Sequence, residues 1–425
     1  MTEEQLRFET LDPHTDDEES QALLAGYADC FAQAFFSGRM SESQRAVWLD
    51  GCRADDALLR AAYDDSGTLR PAGAPVATYS SWRGEINVGA GRTLPLHLVS
   101  DVTVEPTHRR RGLLRRLMTE DLSEAAARGL PLAALTASEA TIYGRYGFAA
   151  ATRERRVQVD TGPRFALRRP GVAGTIEVLD PTTAYDAVRA VDQAVLARTR
   201  GAVAKPSFYA AGDSGRLDWD TDGPERRARV AVLLDDAGSP SGYVRFVPKD
   251  LDDRPGGMAH VQQLAATDDA GYLQLWEFVA RLDLVHHATA TIRVDDLLDV
   301  ALADHRVVRT ERVRDQLWLR VLDPVAALGA RPWREDGEVV LDVEDRLDLA
   351  AGRLRVCTRS GTATVTPVAD EPDVRLDVET LAAVYLGDRT VTELAAAGRI
   401  TGPAVERFAA MADHAGPAPW NTTDF

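Results

Sequence analysis

Arg109, Arg110 and Arg111 run directly into Gly112, and the chain that follows, Leu113 to Leu122, repeats apolar residues at helical spacing. Upstream, Val102 and Val104 alternate with Asp101 and Thr103 until Pro106, whose fixed φ and missing donor suit the point where a strand leaves its sheet. A basic, glycine-containing turn between strand and helix is a seat for an anion. The first N–H groups of the helix have no partner within it, the helix dipole favours negative charge, and Gly112 lets the backbone approach a ligand. Retention of a pyrophosphate is the chemistry such a turn supports; the plain alternative is a strand-to-helix connection with surface arginines.

The elements around this turn read as a mixed α/β unit. A short strand at Leu6 to Phe8 precedes an amphipathic helix over Glu19 to Phe36, whose apolar side holds Leu23, Leu24, Tyr27, Phe31 and Phe35. A second helix starts at Ser41 with a Ser/Glu pairing and is expected to stop at Gly51. Strands follow at Pro75 to Trp82 and Leu94 to Val104, then the arginine turn, a helix to about Arg128, a buried strand at Leu132 to Thr136, and a short helix around Ile142 to Tyr146. The strand-like Glu154 to Asp160 closes the unit near Arg169, and Gly171 to Gly174 reads as a linker.

The same order then starts again. Ile176 to Leu179 is strand-like, Thr182 to Arg198 helical, Ala228 to Leu234 and Gly242 to Val247 form a hairpin, Val261 to Ala265 is a strand, Tyr272 to Leu284 a helix and Ala288 to Ile292 a strand. No Arg-x-x-Gly turn lies between Ala265 and Tyr272. From about Val307 strand candidates at Gln316 to Val321, Gly337 to Val343, Arg353 to Cys357, Ala363 to Pro367 and Val374 to Val378 precede three helical segments, an α+β order.

Composition narrows the function class. With 425 residues the chain is long enough for two or three domains, and 45% hydrophobic against 27% charged residues is a folded composition. A net charge of −17 argues against general binding to nucleic acid or an anionic membrane and suits a cationic ligand. Cys30, Cys52 and Cys357 are too few and scattered for a disulfide framework or a metal site, and the Asp235-Asp236 and Asp295-Asp296 pairs read as solvated turns. No metal is expected. The acidic N-terminus lacks an apolar core, which points to a cytoplasmic protein.

The string PTHRRRGLL resembles the acyl-coenzyme A signature of the GCN5-related N-acetyltransferases, Arg/Gln-x-x-Gly-x-Gly/Ala. Arg109 matches its first position, Gly112 its first glycine, and Leu114 stands where the second small residue belongs. Joined to ASEATIYGRYGF at residues 137–148, the string is similar to the Eis (enhanced intracellular survival) branch, where a bulky residue at that point is normal. The resemblance implies an α+β chain of three parts: a catalytic acetyltransferase domain over 1–169, a degenerate second copy over 170–305 without a cofactor site, and a sterol-carrier-like domain over 306–425. It implies acetyl-CoA as cofactor, bound by Val102, Thr103, Val104, Arg109, Arg110, Arg111, Gly112, Leu113, Leu114 and Ser138; which arginine meets phosphate is left open.

Tyr143 matches the tyrosine of the family's Tyr-x-x-x-Gly-Phe pattern, which protonates the leaving thiolate. A phenol with a reference pKa of about 10 carries the needed proton at neutral pH. Tyr146 is assigned to packing. Eis-like proteins use their own terminal carboxylate as base, here that of Phe425. Its reference pKa of about 3.5 lies far below that of an alkyl ammonium at about 10, so direct abstraction is uphill. A frayed terminus is the alternative for this tail. Tyr27, Asp29, Phe31, Trp48, Asp101 and Glu139 are the substrate-pocket candidates. The implied reaction is acetylation of primary amines of polycationic small molecules such as aminoglycosides, or of lysine side chains, by a homo-hexamer. The alternative is a catalytically silent acyl-CoA-binding or lipid-carrier protein.

Overall fold

The computed structural model describes residues 6–66, 69, 71, 73–169, 174–251 and 254–425; the linker expected at Gly171 to Gly174 lies, apart from Gly174, outside them. The first part runs β1 (Leu6–Leu11), α1 (Glu18–Ala34), α2 (Glu42–Ala54), β2 (Leu58–Asp64), β3 (Ala77–Gly89), β4 (Arg92–Val104), α3 (Leu113–Ala127), β5 (Leu132–Thr136), α4 (Ala140–Tyr143) and β6 (Ala149–Ala150). Asp17 caps α1 by accepting from Ser20 N. Ser41 and Gln44 form a capping box on α2, so the partner is Gln44 and not a glutamate. Strand β2 has no counterpart in the sequence reading, because five successive buried residues, Leu59 to Tyr63, erase the two-residue period.

The second part runs β7 (Arg153–Asp160), β8 (Thr175–Leu179), α5 (Pro181–Arg198), α6 (Tyr209–Asp213), β9 (Arg229–Leu234), β10 (Pro240–Leu251), β11 (Arg254–Ala266), α7 (Asp269–Ala280), β12 (Val285–Arg293), α8 (Leu298–Ala301), β13 (Val308–Asp315) and β14 (Leu317–Val321). Two seven-stranded sheets result, ordered β1-β2-β3-β4-β5-β14-β6 and β13-β7-β12-β11-β10-β9-β8. Strands β6 and β7 pair with β14 and β13 as one antiparallel ribbon that starts in the first sheet and ends in the second. It crosses between them where Gln316 N donates to Thr152 O at 3.0 Å. The strand predicted over Gln316 to Val321 therefore forms in the first sheet, and that over Glu154 to Asp160 in the second.

The last part contains α9 (Pro324–Ala330), β15 (Gly337–Glu344), β16 (Gly352–Arg359), β17 (Thr362–Pro367), β18 (Val374–Asp377), α10 (Val378–Tyr385), α11 (Val391–Ala396) and α12 (Val405–Ala412), with a sheet ordered β17-β16-β15-β18. Its core is continuous with one face of the first sheet: Leu96, Leu98, Leu317 and Leu319 belong to the same buried cluster as Val339, Leu381 and Phe408. Arg320, fully buried, reaches across that seam to the carboxylate of Asp345 at 2.6 Å. The other face carries α3, with Leu113, Leu117, Met118 and Leu122 against Tyr79, Val99 and Leu135.

Candidate active site

Strand β4 builds the floor of the site by two irregularities. Thr78 pairs with Thr103 but Ser80 pairs with Ser100, so Asp101 and Val102 face Tyr79 alone in a β-bulge. Asp101 takes φ +51°, and Thr78 Oγ1 donates to its carbonyl at 2.7 Å. Parallel pairing between β4 and β5 is confined to Leu96, Leu98 and the residues between them. Past Leu98 the strands part, leaving the edge of β4 over residues 99–104 open toward β5.

The arginine turn stands at the end of that opening. Gly112 caps α3 with φ +83° and no side chain closes the helix end. Arg109, Arg110 and Arg115 are exposed beside it, Arg111 Nη2 donates to Thr107 O at 3.2 Å, and His108 Nε2 lies 2.9 Å from the Asp64 carboxylate, which pins the turn to β2. The open strand edge and open helix end fit an extended amide chain followed by pyrophosphate, the shape of acetyl-CoA. At the corresponding helix of the second part, α7, the end is closed by the chain itself: Asp268 caps it by accepting from Gly271 N at 2.7 Å.

A cavity of about 530 Å³ lies between the parted strands; Val102, Ser138 and Tyr143 line it together with Gln316, Asp424 and Phe425. Tyr143 is 6% exposed, meets Phe148 edge-on at 6.4 Å, and its hydroxyl is pushed up to about 12 by burial, with Glu139 and Tyr146 adding to the effect. The Thr136 hydroxyl donates to a carboxylate oxygen of Phe425, whose ring meets Trp82 edge-on at 6.1 Å. Residues 282 positions apart in sequence, Tyr143 and Phe425, thus share one cavity.

The terminal segment is held along its length. Trp420 N donates to Arg200 O at 2.8 Å, Val203 N donates to Asn421 Oδ1 at 3.2 Å, and Thr423 Oγ1 donates to Val203 O at 3.3 Å. Tyr209 bonds the backbone of Asp424, and Gln316 Nε2 donates to Asp424 Oδ1 at 3.2 Å. Asn421 and Thr423 are fully buried. The frayed terminus allowed by the sequence is absent here.

The pocket candidates separate. Phe31 lines the large cavity, and Phe31, Trp48 and Asp101 line an adjoining chamber of about 230 Å³. Asp101 also borders the large cavity; burial pushes its carboxyl up to about 6, and the nearby hydroxyls of Ser80 and Ser100 oppose a further rise. Tyr27 stands one layer back, stacked on Trp48 at 5.7 Å. Asp29 faces Arg45 at 3.6 Å and Arg39 at 4.0 Å, and Glu139 is exposed beside Tyr143. Trp82, Phe208 and Trp219 were not foreseen as wall residues. Phe208 and Trp219 come from the second part, and no local pattern brings them to α2. Gly51, expected to end α2, lies inside it; a Cβ there would fall 2.8 Å from Phe208 Cβ, so the glycine admits that ring. Among the described residues no helix is long and apolar enough to cross a membrane, and no cluster of His, Cys, Asp or Glu could hold a metal ion.

Known families match all three parts: an acetyltransferase (GNAT) domain over residues 17–151, a second acetyltransferase (GNAT) domain over 212–321, and a sterol carrier protein domain over 324–422. An uncharacterized N-acetyltransferase of Streptomyces avermitilis is 34% identical over 385 residues, 85% of this chain and 91% of that protein. N-acetyltransferase Eis of Mycobacterium tuberculosis is 32% identical over 320 residues, covering 72% and 74%. The crystal structure of Eis1 from Mycobacterium abscessus superposes with a TM-score of 0.79 at 27% identity, covering 99% of this chain and 100% of that one.

Proposed function

The chain belongs to the Eis family of GCN5-related N-acetyltransferases, and from that premise we propose that it acetylates a primary amine of a polycationic small molecule, of which an aminoglycoside is one example. Acetyl-CoA-dependent acetyl transfer is the activity of this architecture of two acetyltransferase domains and a sterol-carrier domain. The observation that carries the acceptor assignment is the joint placement of Tyr143, Phe425 and Asp101 on one cavity. A phenol that can give a proton and carboxylates that can hold a cation face the same space.

In this reading the coenzyme supplies an activated thioester. The open edge of β4 at Val102, Thr103 and Val104 positions the pantetheine arm, and the amides of Gly112, Leu113 and Leu114, with the arginine turn, hold pyrophosphate. Tyr143, kept protonated by burial, gives its proton to the departing sulfur. The Phe425 carboxylate draws the ammonium in and accepts its proton through water, since the reference values make direct abstraction uphill. Thr136 donates to that carboxylate and Gln316 holds the neighbouring Asp424, which limits the entropy a free terminus would lose on ordering. Family membership also supports a homo-hexamer as the working form.

The test is free-thiol release from acetyl-CoA with aminoglycosides, aliphatic polyamines and lysine peptides as acceptors. Fast release with the small polyamines or aminoglycosides is the expected result. Turnover confined to the peptides would move the acceptor class to lysine side chains.

A further inference from the structure

The second part repeats the element order of the first, β8-α5-α6-β9-β10-β11-α7-β12 against β1-α1-α2-β2-β3-β4-α3-β5. It also repeats a β-bulge: Arg245 pairs with Gln263 and Phe246 with Val261, so Gln262 is the extra residue. Beside that bulge, against α6, lies a cavity of about 550 Å³ to which the reaction above assigns nothing. Its walls carry opposite charge. The basic groups, Arg245, Lys249 and His260, all stand on β10 and β11. The carboxylates, Asp213, Asp218, Asp220 and Glu225, all come from α6 and the chain that follows it. Yet no ion pair joins these two walls among the described residues.

Each wall keeps hydrogen-bonding capacity in reserve. Arg245 is 7% exposed; its Nε donates to Gln262 Oε1 at 2.8 Å and its Nη1 to Asp213 O at 2.6 Å, and Nη2 has no partner among the described residues. His260 Nδ1 lies 3.0 Å from Thr289 Oγ1, which leaves Nε2 for the cavity. On the facing wall Asp213 is taken by Lys205 at 3.0 Å. Asp218 and Glu225 hold their own turns with one oxygen each: Asp218 Oδ1 accepts from Asp220 N at 2.8 Å, and Glu225 Oε1 from Arg227 N at 2.8 Å. Their second oxygens have no partner among the described residues. A buried guanidinium with an unused donor, facing carboxylates it does not touch, is complementary to a ligand that brings a carboxylate and an ammonium together. A simple anion would be repelled by Asp218, Asp220 and Glu225, and a simple cation by Arg245 and Lys249. Phe208 and Tyr209, stacked at 4.7 Å, add an apolar surface beside Leu217 and Val247.

We propose that this cavity of the second part is a binding site for a free α-amino acid with an apolar or aromatic side chain. The carboxylate of the ligand meets Arg245 Nη2 and His260 Nε2, and its ammonium meets Asp218 and Glu225. The second part, whose α7 is closed to pyrophosphate by Asp268, then serves as a ligand-binding module. This site does not depend on which amine the first part acetylates.

The experiment is a calorimetric titration of the full chain, saturated with CoA, with L-phenylalanine and L-leucine. The controls are 3-phenylpropanoate, which lacks the ammonium, and 2-phenylethylamine, which lacks the carboxylate. Expected is one amino acid bound per chain, at least about 10-fold tighter than either control, as charge-assisted hydrogen bonds at both ends require. R245Q and, separately, D218N, whose amide oxygen can keep the turn, should each weaken binding by about 10-fold or more. Thermal melting shows whether each variant is folded; if buried Arg245 proves necessary for folding, H260Q and D218N decide. No binding of either amino acid at about 10 mM overturns the site, and so does a control that binds as tightly as L-phenylalanine. Affinity undiminished in every folded variant also overturns it, since the amino acid would then sit elsewhere, as it would if it entered the reaction cavity as an acceptor.

Discussion

Tyr143 and Asp101 are both buried titratable groups on one cavity, and burial raises the pKa of both, with different consequences. Raising the phenol from 10.0 to about 12 keeps it fully protonated at neutral pH, so in the proposed reaction Tyr143 hydrogen-bonds the departing sulfur and passes its proton on as the C–S bond breaks. Tyr143→Phe should therefore lower kcat by about 10²-fold while leaving the dissociation constant for acetyl-CoA within about twofold; full turnover, measured by thiol release, would remove the residue from the reaction. For Asp101 the rise from 3.8 to about 6 means that the folded chain holds the proton more tightly than the unfolded one. Stability contributed by this group is therefore greatest below about pH 4 and declines as pH rises through about 6, by roughly 3 kcal/mol at 1.36 kcal/mol per unit. Tyr27 on α1 and Cys52 on α2 face the same carboxyl, and burial keeps both neutral through that window, so it belongs to Asp101. D101N should gain stability relative to wild type at pH 8 and lose that gain at pH 4, as thermal melts would show. A pH-independent difference would contradict the assignment.

At the scale of elements, the site depends on close approaches more than on local propensity. Helix α2 continues through Gly51 because the capping box starts it well and because Phe208 from the second part rests where a Cβ would be. Gly51→Ala gains up to about 1 kcal/mol of helix propensity but places its methyl 2.8 Å from Phe208 Cβ and 3.0 Å from Phe208 Cα. Overpacking of that kind costs about 1–3 kcal/mol. The urea midpoint should fall, and the KM for amines should rise several-fold because Phe208 borders both cavities. An unchanged KM would show that the ring moves without consequence. The helix ends follow the same logic. Gly112 leaves the start of α3 open, whereas Asp268 fills the start of α7 with its own carboxylate, so an anion meets free amides at one and repulsion at the other.

At the scale of the molecule, the candidate catalytic cavity is assembled from all three parts. The first supplies Tyr143 and the parted strands, the second supplies Phe208 and the ribbon residue Gln316, and the last delivers Phe425 along a path of hydrogen bonds at Arg200, Val203 and Tyr209. Removing Phe425 alone should cut turnover by about 10²-fold or more with little change in melting temperature, because Trp420, Asn421 and Thr423 keep the segment anchored. Retention of full rate would show that the terminal carboxylate is dispensable.

Some of this was legible in the chain alone. The arginine turn, the strand before it and the helix after it are local: Pro106, Gly112 and the apolar period of α3 act within a few residues, so spacing reveals them. The resemblance of PTHRRRGLL and ASEATIYGRYGF carries the family, and with it the proposal of Tyr143 and Phe425 as reacting groups. What the sequence by itself could not determine were contacts made across hundreds of residues. The ribbon that moves β14 into the first sheet, the entry of Phe208 and Trp219 into the wall, and the bulge that aims Asp101 at two cavities were decided only by the tertiary structure. Strand pairing and ring packing reward whichever segments the whole fold brings together, and a window of neighbouring residues holds no record of a partner that lies elsewhere in the chain.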